Sequence, residues 1–197
     1  CVKPKVPLVS TGLEEKIAHD SGQCLISEGE GIVEEVDANH IVVRTSNGEK
    51  KNYRLVSFER SNENSCLLQK PIVKKGEKVL KGQVLADGAA TENGATALGQ
   101  NLLVALIPFY GANYEDAIVV SERILKEDRF SSIHIEEFNC DVVDTKLGPE
   151  ITTYDIPNVS EEKLKNLDEE GIIRIGAEVK AGDILVGKVS PKGRADL

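Results

Sequence analysis

Methionine and tryptophan are absent from this chain of 197 residues, and phenylalanine and tyrosine together supply only 4 % of it. Small aliphatic side chains therefore have to fill any core, and at 40 % hydrophobic residues there are enough of them for a core of ordinary size in one or two strand-rich domains. A basic excess is lacking too. With 24 bases against 33 acids the formal charge is −9, which argues against the chain gripping a nucleic-acid backbone unaided. Cysteines are few and scattered: Cys1, Cys24, Cys66 and Cys140 have no histidine at ligand spacing, so neither a zinc site nor a disulfide framework is signalled, and reduced cytosolic thiols are the expectation. His19, His40 and His134 also stand apart and read as surface or core residues, not ligands. The longest apolar stretch, Leu102 to Tyr110, is too short to cross a bilayer, and no signal peptide is visible. The chain opens on Cys1, so it reads as an interior stretch of a longer soluble protein.

What is present has strand and turn character. Thr11 with Glu14 three residues on has the form of a capping box, Ile17 and Ala18 supply an apolar face, and Gly22 a stop, which predicts one short helix. From Gly31 to Phe58, three β-branched runs are separated by Asp37-Ala38-Asn39 and by Asn47-Gly48, the second a two-residue hairpin signal. A three-stranded meander is predicted there. Glu59 to Gln69 is polar and breaks the pattern.

Two passages match one hundred residues apart: KGEKVLKGQVLADG from Lys75 and IGAEVKAGDILVGK from Ile175. Gly76 and Gly82 in the first correspond to Gly176 and Gly182 in the second, and Val79 to Val179. Glycine at such points permits turns that residues with a Cβ resist. The unit looks like the half-hairpins of sandwich-barrel hybrid domains, a group that includes biotinyl and lipoyl carriers. Further on, Ser121 to Arg129 predicts a brief helix, Ser131 to Val143 alternates like a strand, and Gly148-Pro149 marks a turn. Lys146, with Gly148 and Pro149, is a candidate nucleic-acid or partner contact, though a lysine in such a turn is usually just exposed. Ser160 as N-cap, acids in the first turn, Leu164 and Leu167 on one face and Gly171 as terminator give the strongest helix signal.

The segment from Leu98 to Arg123 holds the chemistry. Glu115 and Asp116 stand at a bend between apolar runs and precede Ala117, Ile118, Val119 and Val120, which predicts a strand leading from the acids into buried structure. Carboxylates fixed at a rigid strand end can hold a metal or face a polyphosphate. Neighbouring side chains on a strand point to opposite faces, so a division of labour is expected and not joint chelation.

Read in order, PLVSTGLE, DSG, the VDAN meander, RSNEN, the QKP to LGQNLLVA stretch, NYEDAIVVSER, DTKLGPE, DIPNVSE and LDEEGIIRIGAEVKAGDILVGKVSPKG resemble the β subunit of bacterial RNA polymerase, from Pro7 to Gly193. The resemblance implies a mainly β fold with short helices, part of a double-psi β-barrel plus sandwich-barrel hybrid (flap) elements. It implies residues 1–58 as the helix and meander of the hybrid-binding region, 59–138 as barrel strands with the acidic active-centre loop, and 139–197 as the start of the flap. It further implies that Glu115 and Asp116 are catalytic and help position a second, nucleotide-borne Mg2+, partly through water. The first ion would be held by an aspartate triad in the β′ subunit. The other implied partners are the α and ω subunits, σ factor, DNA template, RNA–DNA hybrid and ribonucleoside triphosphates, in the cytoplasm and away from membranes.

Departures from the family pattern are modest: Ile107-Pro108-Phe109 stands where relatives have Met-Pro-Trp, and Ala112 where they have tyrosine. Neither the triad nor the pair of lysines that the family carries further on is found here. The rival reading, a biotinyl or lipoyl carrier, needs a modifiable lysine beside methionine at a hairpin tip, and there is no methionine. A docking module for σ factor is a third reading. The isolated chain is expected to show no nucleotidyl transfer and negligible DNA affinity at physiological salt, because its net charge opposes phosphate. A gel shift by the purified chain that survives added salt would contradict this.

Overall fold

The computed structural model describes residues 1–192, and the chain divides into two compact units, Cys1–Glu136 and Glu137–Leu197. The end of the resemblance, at Gly193, lies outside the described residues. In the first unit, helix α1 (Glu14–Asp20) precedes β1 (Leu25–Ile26), β2 (Gly31–Val36), β3 (His40–Thr45) and β4 (Lys50–Arg54). Then come β5 (Glu59–Arg60), β6 (Cys66–Leu67), β7 (Lys70–Pro71), β8 (Lys78–Val79), β9 (Val84–Asp87), β10 (Thr91–Glu92), β11 (Ala95–Thr96) and helix α2 (Arg123–Lys126). The fold is mainly strand with short helices, as expected, and its sheets are open ones: β4-β3-β2-β8 and β1-β9-β7, with two-stranded ribbons beside them.

These two sheets share one core. Val33, Ile41, Val43, Tyr53 and Val79 enter it from the first sheet and Leu85 and Ala86 from the second, with Leu55 and Val73 closing it. Period-two alternation explains β3, where Ile41 and Val43 are buried and the intervening Val42 is not. Burial of each such valine, isoleucine or leucine stabilises by about 1.5–3 kcal/mol. Tyr53 is the aromatic ring of the cluster, and its hydroxyl accepts the Glu28 N–H at 3.0 Å.

On β2 the spacing of Val33 and Val36 is wrong for a plain strand, yet both face the core. A bulge resolves it. The register moves from Val33↔Val43 to Glu35↔Val42, leaving Glu34 as the extra residue and returning Val36 to the inner face opposite Ile41. Glu34 turns its carboxylate outward to Lys50 Nζ (2.8 Å) and Arg44 Nε (3.2 Å), and the Lys50 contact holds its pKa below the usual range.

The predicted meander is present as β2, β3 and β4. Asp37 organises its first turn by accepting the Asn39 and His40 N–H groups, both at 2.7 Å. The second connection differs from expectation: residues 46–48 form a three-residue loop closed by Thr45 N–H on the Glu49 carbonyl (2.8 Å), with Gly48 left-handed at φ +82°. The two-residue hairpin is at the other Asn-Gly pair. Asn93 (φ +51°) and Gly94 (φ +78°) join β10 to β11, with Glu92 opposite Ala95. Asp87, itself buried, fixes them: its Oδ2 accepts the Asn93 N–H and its Oδ1 the Gly94 N–H, each at 2.7 Å.

At the helix start, Glu14 accepts from the Thr11 and Gly12 N–H groups (2.8 and 2.9 Å), and its carboxyl is pulled down to about 2, chiefly by the Thr11 backbone bond. Because the pKa is depressed, this contact is whole above the ordinary 4.5 and fades as the pH falls toward 2. Gly22 ends the helix region at φ +70°. Ala18 is buried but Ile17 is half exposed, since adjacent residues cannot share so narrow a helical face. Residues 59–69, read as a break, contain the β5–β6 ribbon, Glu59↔Leu67.

In the second unit, β12 (Asp144–Thr145) pairs with β13 (Gly148–Pro149), and β14 (Ile151–Thr152) with β15 (Lys188–Val189). The turn therefore falls on Lys146 and Leu147, with Gly148 and Pro149 already in the returning strand. The helix predicted from Ser160 is one turn only, α3 (Glu161–Leu164). Past its end the Leu167 N–H turns back to the Leu164 carbonyl (2.9 Å), and Asp168 organises the next turn, its Oδ1 accepting the Glu170 and Ile172 N–H groups (3.0 and 2.9 Å) beside a buried Leu167. Residues 131–143, expected as a strand, form no ladder: their β-pairing is the isolated bridge of His134 with Ser65, and scattered backbone bonds such as Val2 N–H to the Ser131 carbonyl (2.8 Å) do not extend it.

The repeat is real in backbone terms. Gly76, Gly82, Gly176 and Gly182 all adopt φ between +84° and +93°. Leu80 N–H donates to Gln83 Oε1 (3.0 Å), and Lys180 N–H donates to Asp183 Oδ2 (2.8 Å) at the matching place. Replacing Asp87 with Ala orphans two N–H groups at once, at about 1–3 kcal/mol for each group left unsatisfied. Urea unfolding of Asp87→Ala is expected to show a loss in that range or above, and an unchanged midpoint would refute this account of the hairpin.

Candidate functional site

The acidic segment is anchored before it is shaped. Lys5 N–H donates to the Gly99 carbonyl (2.8 Å), and Asn101 accepts from Leu8 N–H (3.3 Å) while donating to the Val6 carbonyl (2.9 Å). Beyond that point the chain leaves regular structure. Residues 102–108 and 117–120 form no strand, and Leu103, Leu106 and Ile118 are all more than four-fifths exposed. The expected strand after the acids is absent, because no neighbouring backbone among the described residues offers it a ladder.

The bend is a series of hydrogen-bonded turns: Ala112 N–H to Phe109 O (2.9 Å), Tyr114 N–H to Gly111 O (3.2 Å), and Ala117 N–H to Tyr114 O (3.3 Å). Glu115 and Asp116 are the two central residues of the last one. They are at a turn corner, not at a strand end. Glu115 is left-handed at φ +58°, an unusual state for a side chain with a Cβ and one that costs about 1–3 kcal/mol. Tyr110 (φ +51°) and Gly111 (φ +76°) share that hand, and the Phe109 and Tyr110 rings meet edge to face with centroids 5.3 Å apart. Both carboxylates are exposed, and among the described residues neither forms a hydrogen bond or ion pair.

The two arms of the bend enclose a cleft of about 780 Å³, lined by residues 101–107 on one side and 117–120 on the other, with Arg123, Ile124 and Arg129 at its end. Glu115 and Asp116 lie outside it. Arg123 and Arg129 are engaged with Glu127 (2.9 and 2.6 Å). The remaining candidates are dispersed: Lys146 is at a hairpin tip in the second unit, His40 faces Asp37 (2.9 Å), and His134 is against Ser132 (2.9 Å). All four cysteines are free thiols. Among the described residues, no three acids, histidines or cysteines gather into a metal-holding group.

One side chain that shapes the bend escaped sequence reasoning. Asn113 bonds the backbone of Ile107 and Phe109, and its signal was available: asparagine beside a glycine bend is a residue type that turns its side chain onto nearby backbone.

Apolar exposure on this scale, beside open sheets, defines a module built to be covered by other protein surface. The chain belongs to the family described as RNA polymerase Rpb2, domain 6, which matches residues 26–196. It is 56 % identical over 191 residues to the DNA-directed RNA polymerase subunit beta of Caldicellulosiruptor bescii, covering 97 % of this chain and 16 % of that protein. It is 57 % identical over 195 residues to the subunit of the same name from Thermosynechococcus vestitus, covering 99 % of this chain and 18 % of that protein. The subunit from Myxococcus xanthus is 56 % identical over 204 residues, covering all of this chain and 14 % of its own length. The chain thus spans about a sixth of the length of the curated relatives it matches.

Because glycine adopts positive φ freely, Glu115→Gly is expected to leave stability unchanged or raise it by up to about 1 kcal/mol, whereas Glu115→Ile lowers it by about 1–3 kcal/mol. Denaturation midpoints of the two variants check this.

Proposed function

We propose that this chain is the active-centre portion of an RNA polymerase β subunit, and that Glu115 and Asp116 face the triphosphate of the incoming ribonucleotide. Its work would be DNA-templated RNA synthesis, carried out in the cytoplasm as part of a complex with β′, α, ω and σ partners, template DNA and the RNA–DNA hybrid. Residues 59–138 would contribute barrel strands that close only against other polymerase segments, and residues 139–197 would begin the flap. The observation that carries this reading is an acidic pair held at an exposed turn corner within a family of polymerase subunits. No helix among the described residues is long and apolar enough to cross a membrane.

Two exposed carboxylates free of intramolecular bonds suit a hard, oxygen-seeking cation that keeps several waters and takes its other ligands from phosphate. They do not make a resident cage, for no third ligand joins them among the described residues. Glu115 and Asp116 would hold Mg2+ that arrives with the nucleotide, partly through water, and the ion would supply charge neutralisation at the triphosphate. The side chains' own part is to orient that hydrated charge and to repel bare phosphate from the turn. A biotinyl or lipoyl carrier is not favoured: the relatives are polymerase subunits, and neither glycine hairpin offers a lysine beside methionine.

In the complete polymerase, Asp116→Ala is expected to slow nucleotide addition more than it weakens open-complex formation, since only the chemical step takes up the nucleotide's ion. Rapid-quench single-addition rates and promoter-complex lifetimes measure the two. Impaired promoter binding with normal elongation would count against the proposal.

A further inference from the structure

We infer that Asn113 is the positioning residue of the acidic turn, its carboxamide setting the direction in which Glu115 and Asp116 face; the inference rests on the function proposed above. Asn113 Oδ1 accepts the Phe109 N–H at 2.8 Å, and its Nδ2 donates to the Ile107 carbonyl at 2.7 Å. The two bonds straddle Pro108, which has no N–H of its own. One side chain thereby gives the incoming arm the donor and acceptor that a neighbouring strand would otherwise provide. The carboxamide accepts through its oxygen and donates through its nitrogen at the same time, which an ionised aspartate, lacking the donor, and an alanine, lacking both, do not reproduce.

Burial singles out the same residue. From 101 to 123 every residue is exposed except Asn113, which is half-buried, so the one side chain the loop partly covers is this polar one and not an apolar one. The next turn begins one residue later, at Tyr114, whose carbonyl closes the turn bearing both acids on Ala117 N–H at 3.3 Å. A shift of the Asn113 backbone therefore passes straight into the corner. Asn113 makes no bond to either carboxylate, so its effect on them is through the backbone alone.

The test uses the assembled polymerase carrying this chain. Single-nucleotide addition is followed as Mg2+ is titrated, for Asn113→Ala, for Asn113→Asp, which keeps the acceptor to Phe109 but loses the donor to Ile107, and for the paired Glu115→Ala/Asp116→Ala variant. Asn113→Ala is expected to cut the saturated rate about ten- to a hundredfold and to raise the Mg2+ concentration for half-maximal rate, with promoter complexes unaffected. Asn113→Asp should fall between it and the parent, and it keeps the test decisive if the alanine variant fails to assemble. If the acid variant shifts the Mg2+ dependence and neither Asn113 variant does, the inference is overturned while the proposed function stands. A rate loss at Asn113 with the Mg2+ dependence unmoved also overturns it, by showing a role unrelated to the carboxylates. If the acid variant itself has normal rates and Mg2+ dependence, the function falls and the inference with it.

Discussion

Leu85 and Ala86, both at 0 % exposure, sit where the two sheets of the first unit meet, and the placement of everything downstream depends on that burial. They hold β9 between β1 and β7, so Asp87 follows at a fixed place and can present its carboxylate to the Asn93-Gly94 turn. The hairpin then returns the chain to Ala97, which is buried and bonds the Ala90 carbonyl at 2.8 Å, while Thr96 ties α1 through the Glu14 carbonyl at 3.1 Å. Two residues later Gly99 bridges Lys5. A continuous line of backbone bonds thus runs from the aliphatic core to the root of the acidic loop, and the scarcity of aromatics is no handicap. Aliphatic side chains make up this core apart from the single ring of Tyr53.

Local rules with a single mechanism were legible in the sequence. The meander and the four repeated glycine turns follow from alternation and the need for positive φ, whereas the brief helices form without a side-chain cap, the first of them starting after Leu13 and not at Thr11. Rules that depend on competition were not. Two Asn-Gly pairs look alike as dipeptides, but Asn93-Gly94 has a buried aspartate to collect its N–H groups and Asn47-Gly48 does not, so only the former makes the tight two-residue turn. The helix signal from Ser160 was sound for its first turn, but the chain beyond it is organised by a turn in which the Asp168 carboxylate takes the Glu170 and Ile172 N–H groups. Residues 131–143 carry the right alternation, but a strand is a relation between two backbones and one sequence window holds only one of them.

The paired glycine hairpins separate these two kinds of information. Their turn geometry is the same, yet Val79 is 1 % exposed and Val179 is 52 % exposed. Turn shape is written in the glycines themselves. Burial is conferred by what lies alongside, and in the first copy β8 has β2 as its neighbour. Sequence likeness between the copies therefore predicts backbone form and says little about whether a surface is covered.

The acidic segment follows the same division. That two carboxylates occur together, and that they follow a bend, could be read directly; that they occupy the corner of a turn and not the end of a strand could not, because the alternative depended on a ladder partner. The corner suits the role proposed for the pair better than a strand would. On a strand, successive side chains diverge to opposite faces, and one acid of the pair would be directed toward the apolar side. At the centre of the turn neither acid lines the cleft between the arms, so the apolar residues there can be covered by protein while the charges stay outside it. The left-handed backbone at Glu115 is the cost of that arrangement, and the Asn113 bonds immediately before it are the local interactions that offset it. A loop with no core of its own would then keep its corner through one half-buried carboxamide whose two backbone bonds do the work of a neighbouring strand.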